Sequence, residues 1–142
     1  MKPLYAIIFG LFAALVSIGA MTDMKVAPCP IPAGVTSVPI PEGVPSVLQS
    51  ALRSSLGDIA LPGEKFDATD IVQTGRRRRF LFAWNLGNRW IVATEHGGRG
   101  YNNPIFAYDI GDDGKTASLV ETRIANPWTV CVTASKLMLR PN

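Results

Sequence analysis

Across residues 44–56, apolar side chains recur at spacings of one, three and four: Val44, Val47, Leu48, Ala51, Leu52 and Leu56. That spacing predicts a helix over 45–57 with one apolar face. Ser46, Gln49, Ser50, Arg53 and Ser54 take the other side. Pro45 suits the first turn, where its missing N–H costs nothing, and Gly57 supplies a stop. A helix this short is marginal alone, so its apolar face must pack on something.

The pattern downstream changes to short β-branched and aromatic runs separated by Gly, Asn, Asp and Pro, which predicts strands. A first, weak strand is expected within 66–74, around Ile71-Val72. The strongest pair is 78–84 with 89–95, joined by Asn85-Leu86-Gly87-Asn88. A tight Gly/Asn turn between such runs is a hairpin signal. Both faces of these strands are apolar, so they should lie centrally and be covered on both sides. If the hairpin pairs Trp84 with Trp90, then Phe82 opposes Val92, Phe80 opposes Thr94, Arg78 opposes His96 and Arg79 opposes Glu95. This register collects the aromatics on one face and gives Arg79 a carboxylate partner. Further strands are expected at 104–110, 115–124 and 128–134, with Gly111–Gly114 as a turn and Asn126-Pro127 as a breaker. The fold class that follows is α+β: one N-terminal helix packed on an antiparallel meander of about five or six strands. A small β-barrel or sandwich is the alternative.

The N-terminal region is different in kind. After Lys2 no charge occurs until Asp23, and most of the residues between are apolar. A basic start, an apolar run and the small residues Ser17, Gly19 and Ala20 match a secretory signal peptide over 1–20, cleaved after Ala20. Retention as a membrane anchor is the alternative, since a run of about 20 apolar residues can span a bilayer. Residues 21–44 form a proline-rich leader, with Pro28, Pro30, Pro32, Pro39 and Pro41 interrupting any helix. Val35, Val38 and Ile40 suit a short extended piece. Residues 45–142 make up a single α+β domain. The expected location is periplasmic or secreted, with no membrane contact once the leader is removed.

Composition supports this division. Gly and Pro number 13 and 11 in 142 residues, about 17% against an average of roughly 12%, which favours short strands and turns. Loss of Lys2 leaves 13 basic and 11 acidic side chains, a formal charge of +2. That is too mild to imply nucleic-acid binding. Cys29 and Cys131 form an even pair in an exported chain, which predicts a disulfide joining the proline-rich start to the far end of the domain. With no Cys-x-x-Cys and one His, no metal site is expected, and no cofactor.

Three features could carry chemistry. The run Arg76 to Arg79 leads straight into an apolar strand, and guanidinium forks bind phosphate or carboxylate bidentately. The same run can serve as a solvated strand end that deters aggregation. The segment Glu95-His96-Gly97-Gly98-Arg99-Gly100-Tyr101 places the single His at a strand end and opens a glycine-rich loop. His96 could act as a general base near neutral pH, or simply be hydrogen-bonded at a turn. The acids Asp67 and Asp70, and the turn pair Asp112-Asp113, complete the set. The aromatics Phe80, Phe82, Trp84, Trp90, Tyr101, Phe106, Tyr108 and Trp128 are expected in the core, because so small a domain needs its large side chains for burial.

The function expected on these grounds is that of a small exported, non-enzymatic binding protein. An inhibitor or immunity-type protein is the sharper form. Its partner would be a protein or an anionic ligand, bound by Arg76, Arg78, His96, Arg99 and Tyr101. A small hydrolase using His96 with Glu95 or Asp70 is the second expectation, and a structural envelope protein the third.

Overall fold

A computed structural model describes residues 28–140. The expected signal peptide over 1–20 and the first part of the proline-rich leader lie outside the described residues. The elements run β1 (Thr36–Val38), a single 3-10 turn (Pro41–Gly43), α1 (Ser46–Leu56), β2 (Arg78–Leu86), β3 (Arg89–His96), β4 (Asn103–Ile110), β5 (Ala117–Ala125) and α2 (Val130–Met138). The five strands form one antiparallel sheet in the order β1-β2-β3-β4-β5. It is a mixed α+β arrangement, and the sheet stays open, so the barrel alternative is not formed.

The sheet has two buried faces. On one side α1 lays Leu48 and Leu52 onto Phe80, Ala83, Trp90, Val92, Phe106 and Tyr108. On the other, Val130, Ala134, Leu137 and Met138 of α2 cover Trp84, Ile91, Ala93, Ile105 and Ala107. The continuous apolar stretch Trp90 to Ala93 in β3 is buried throughout, as the two-sided hydrophobicity of the hairpin requires. Burying each large side chain contributes roughly 1.5–3 kcal/mol. The two helices therefore owe their existence to this sheet rather than to their own propensity.

The predicted helix 45–57 forms with nearly those bounds, but it is not the first element, since β1 precedes it. Residues 28–44 are built into the same packed unit. β1 pairs with 83–85 of β2, and Val44 is 2% exposed against α1.

Two expected strands are absent. In the segment 128–134 a turn leads into α2 from Val130 onward. Its β-branched residues suggested extension, yet Val130, Ala134, Leu137 and Met138 recur at helical spacing and are the buried set. Asn126 starts the element: its Oδ1 accepts the N–H groups of Trp128 and Thr129, both at 3.0 Å. Its carbonyl accepts Val130 N–H at 3.0 Å. Asn followed by Pro at the first turn is a helix start as well as a strand breaker. Trp128 ends up 78% exposed rather than in the core.

The segment 66–74 forms no strand either, and Ile71 and Val72 face solvent. The buried carboxylate of Asp67 accepts the backbone N–H groups of Gln73 at 2.9 Å, Thr74 at 2.8 Å and Gly75 at 2.8 Å. Those are the donors a ladder would have needed.

The hairpin register is as expected at one end and shifted at the other. Arg78 opposes His96, Arg79 opposes Glu95 and Phe80 opposes Thr94. A β-bulge at Leu81 then moves the pairing by one residue. Phe82 meets Ala93, Trp84 meets Ile91 and Asn85 meets Trp90. The turn is the two-residue Gly87-Asn88, with Gly87 at φ 60°, a conformation glycine adopts without penalty. Trp84 and Trp90 consequently lie on opposite faces, not together. The bulge lets Phe80 enter the α1 side while Phe82 stacks beside Trp84 on the α2 side, with ring centroids 4.8 Å apart.

Cys29 and Cys131 are joined in a disulfide, with Cα atoms 5.2 Å apart. The bridge fastens the extended start of the described chain to the second residue of α2. Among the described residues, no helix is long and apolar enough to cross a membrane.

Candidate functional site

The arginine run enters β2 from the long connection 57–77, which contains no helix or strand and meets the sheet through the isolated Ala60–Arg79 bridge. Three of the four arginines add side-chain contacts that hold it. Arg76 Nη1 pairs with Glu64 Oε2 at 2.7 Å. Arg78 Nη1 donates to the carbonyl of Leu56 at 3.0 Å, completing the C-terminus of α1, where a cation is favoured by the exposed carbonyls. Arg79 Nε pairs with Glu95 Oε2 at 2.6 Å, and its guanidinium lies 4.5 Å from the centre of the Phe66 ring. Arg79 Nη1 also reaches the Glu64 carbonyl at 3.4 Å.

Arg77 is the exception. It is exposed, and it forms no ion pair with any described residue. Its carbonyl accepts Gly97 N–H at 2.9 Å, and its guanidinium lies over Gly98.

The histidine loop is built by close backbone approach. A Cβ added to Gly97 would meet the carbonyl oxygen of Asp67 at 2.0 Å and Ala68 Cα at 2.7 Å. Only glycine lets the end of β3 lie against 67–68, and that contact fixes the loop relative to the arginine connection. Asp70 reinforces it, accepting Arg99 N–H at 2.7 Å and pairing with Arg99 Nε at 3.1 Å.

His96 is half-buried at the end of β3. Burial is the main cause that lowers its pKa below 6.5, and the guanidinium groups of Arg78 and Arg77 act in the same direction. Glu95 does not serve it. Successive strand residues point to opposite faces, and the buried Glu95 carboxylate is occupied by Arg79 and by the Tyr101 hydroxyl. Burial first, and the bond to Glu95 second, push the Tyr101 pKa far up, so the phenol remains a donor. Asp70 is engaged by Arg99. His96 therefore faces neither of the two carboxylates proposed as its catalytic partner.

Arg78 and His96 are brought together as the register implied. Arg99 lies on the loop that follows His96 and is paired with Asp70. Arg76 faces Glu64, and Tyr101 faces the Arg79–Glu95 pair on the other side of the strand. Arg77 was the residue that sequence reasoning passed over. Alternation along a strand says which side a guanidinium leaves from, but not which carboxylate a distant loop brings to it. The Asp112-Asp113 pair does turn work: Asp112 accepts Asn88 Nδ2 at 2.7 Å and Asp113 accepts Lys115 N–H at 2.9 Å.

A groove of about 440 Å³ lies between α2 and the strands β4 and β5, lined in part by Arg89, Asp109, Glu121 and Arg140. Its charges pair internally, Arg89 with Asp109 and Arg140 with Glu121. Among the described residues, no group of three or more His, Cys, Asp or Glu is placed to hold a metal ion. Comparison with protein-family models, with curated proteins and with solved structures finds no match to this chain.

Proposed function

We propose that the protein is a small exported binding protein that engages an anionic partner through the end of the β2–β3 hairpin. The observation that carries this reading is Arg77. Among the described residues it is the one guanidinium of the run with neither an ion pair nor a side-chain hydrogen bond, and it sits over a glycine loop that also presents the highly exposed Arg99. His96 and Arg78 support the same patch from behind. A loop held by Gly97 and Asp70 is rigid, and a rigid loop loses little conformational freedom on docking. That suits an inhibitor or immunity-type role against a protein with an acidic surface.

The test uses an immobilised carboxylate polyanion as the probe. The wild-type chain should be retained in a salt-dependent manner. The double variant Arg77→Ala/Arg99→Ala should elute early with an unchanged melting temperature. Equal retention of the two proteins overturns the assignment. A parallel panel of esterase, phosphatase and glycosidase substrates addresses the hydrolase alternative. Turnover abolished by His96→Ala would replace the binding reading.

A further inference from the structure

The two outer edges of the sheet are treated differently. The free side of β2 is occupied by β1 and, further along, by Ala60, whose N–H donates to Arg78 O at 2.8 Å and whose carbonyl accepts Phe80 N–H at 2.9 Å. The free side of β5 is covered by nothing among the described residues, although this is a nine-residue strand. It also exposes large apolar side chains: Leu119 at 52%, Val120 at 51% and Ile124 at 64%. An open, partly apolar edge is a template for another strand.

We propose that β5 pairs with β5 of a second copy of this chain, antiparallel about a twofold axis through Thr122. The strand's own sequence selects that axis. A bulge at Val120 interrupts the ladder to β4, since Ala107 pairs with Glu121 and Tyr108 with Leu119. Leu119, Thr122 and Ile124 therefore share the α1 side, and Ser118, Glu121, Arg123 and Ala125 share the α2 side. Antiparallel pairing about a perpendicular twofold keeps each residue opposite one on the same side, so the axis must pass through a residue. An axis at Glu121 sets two carboxylates opposite each other, and an axis at Arg123 sets two guanidiniums opposite. Like charges directly opposed are destabilising.

With the axis at Thr122, Glu121 faces Arg123 of the partner subunit, and the reverse pair repeats it. With Val120 as the extra residue at each end, Leu119 faces Ile124 of the partner subunit, again twice. Ser118 then faces Ala125 of the partner subunit. No pair opposes like charges, and the exposed apolar Leu119 and Ile124 meet each other. Within its own chain Glu121 already pairs with both Arg123 and Arg140, so across the axis the two Glu121–Arg123 pairs would merge into one cluster of alternating charge. The charges that usually keep an edge solitary here disfavour the registers centred on Glu121 and on Arg123. A self-complementary patch of this kind closes at two copies, and the opposite edge of the sheet offers only the three-residue β1.

The interface is small, so the association is expected to be weak and concentration-dependent. Sedimentation equilibrium of the purified protein should show a monomer–dimer equilibrium. Glu121→Arg and Arg123→Glu should each weaken the dimer by about tenfold or more, by opposing like charges. An equimolar mixture of the two single variants should associate again, because each charge then faces its opposite across the axis while the pair between positions 121 and 123 within each chain stays broken. Thr122→Cys should link two chains covalently on mild oxidation, because the axis passes through that position. A monomer at every concentration up to about 1 mM overturns the proposal. So does a dimer that is unaffected by both single charge reversals and is not cross-linked through position 122.

Discussion

His96 occupies a site that favours its neutral form. Its folded pKa is lowered from 6.5, chiefly by burial and then by Arg78 and Arg77. In the unfolded chain the imidazole titrates near its ordinary value. Between the two values the unfolded state binds the extra proton, so acid favours unfolding. The stability from this residue is complete above about pH 6.5 and is lost as pH falls through the lowered folded value. Melting temperatures of the wild type should therefore decline between about pH 7 and pH 5, and His96→Gln should flatten that decline. A wild-type profile that matches the variant's would show that the ring is solvated. Further acid acts on Asp67 and Glu64 in the same direction, because backbone hydrogen bonds hold both carboxyls below their ordinary values.

At the scale of the element, α2 shows how one side chain decides between two structures. Val130, Cys131, Val132 and Thr133 all have good strand propensity. Asn126 overrides them by taking up the first free N–H groups of the turn, with Pro127 pre-set for a helical start. Asn126→Ala should cost about 1 kcal/mol, with a range of roughly 0.5–2, as for other helix caps. Amide exchange at Trp128, Thr129 and Val130 should speed up while exchange in β3 is unchanged. Equal exchange rates in the two proteins would place the start of α2 under packing control alone. The hairpin teaches the complementary lesson. Its Arg78–His96 end was readable because charges and strand ends align there. The Trp84 end was not, because a bulge at Leu81 leaves no mark in a run that is apolar on both faces.

On the scale of the whole molecule, the disulfide is the longest-range constraint. It closes a separation of 102 residues and ties the first described segment to the last helix. In the chain-entropy model a loop of about 100 residues contributes up to ~4.7 kcal/mol by restricting the unfolded ensemble. Reduction should lower stability by a few kcal/mol on that scale, read as a shift in the denaturation midpoint. Cys29 and Cys131 also pack against the α2-side core, so Cys29→Ala/Cys131→Ala should behave like the reduced protein. An unchanged midpoint after complete reduction would show that packing alone fixes the N-terminal segment.

The sequence by itself determined what depends on local pattern and covalent chemistry. Helix α1 followed from a spacing of three and four, the β2–β3 hairpin from a Gly-Asn turn between apolar runs, and the cysteine pair from its even count. Its composition and turn signals also placed it in the α+β class. Tertiary structure alone decided what depends on distant partners. It decided that 128–134 coils onto the sheet, because the residues that complete its apolar face, Leu137 and Met138, lie beyond that run. It decided that 66–74 wraps around the Asp67 carboxylate instead of joining a ladder. It also decided the fate of four neighbouring arginines, sending three to Glu64, Leu56 and Glu95 and leaving Arg77 free of ion pairs. Four identical side chains in a row carry no local information that could tell them apart. Only the positions of their acceptors, set by the packing of α1 and the long connection onto the sheet, can do so.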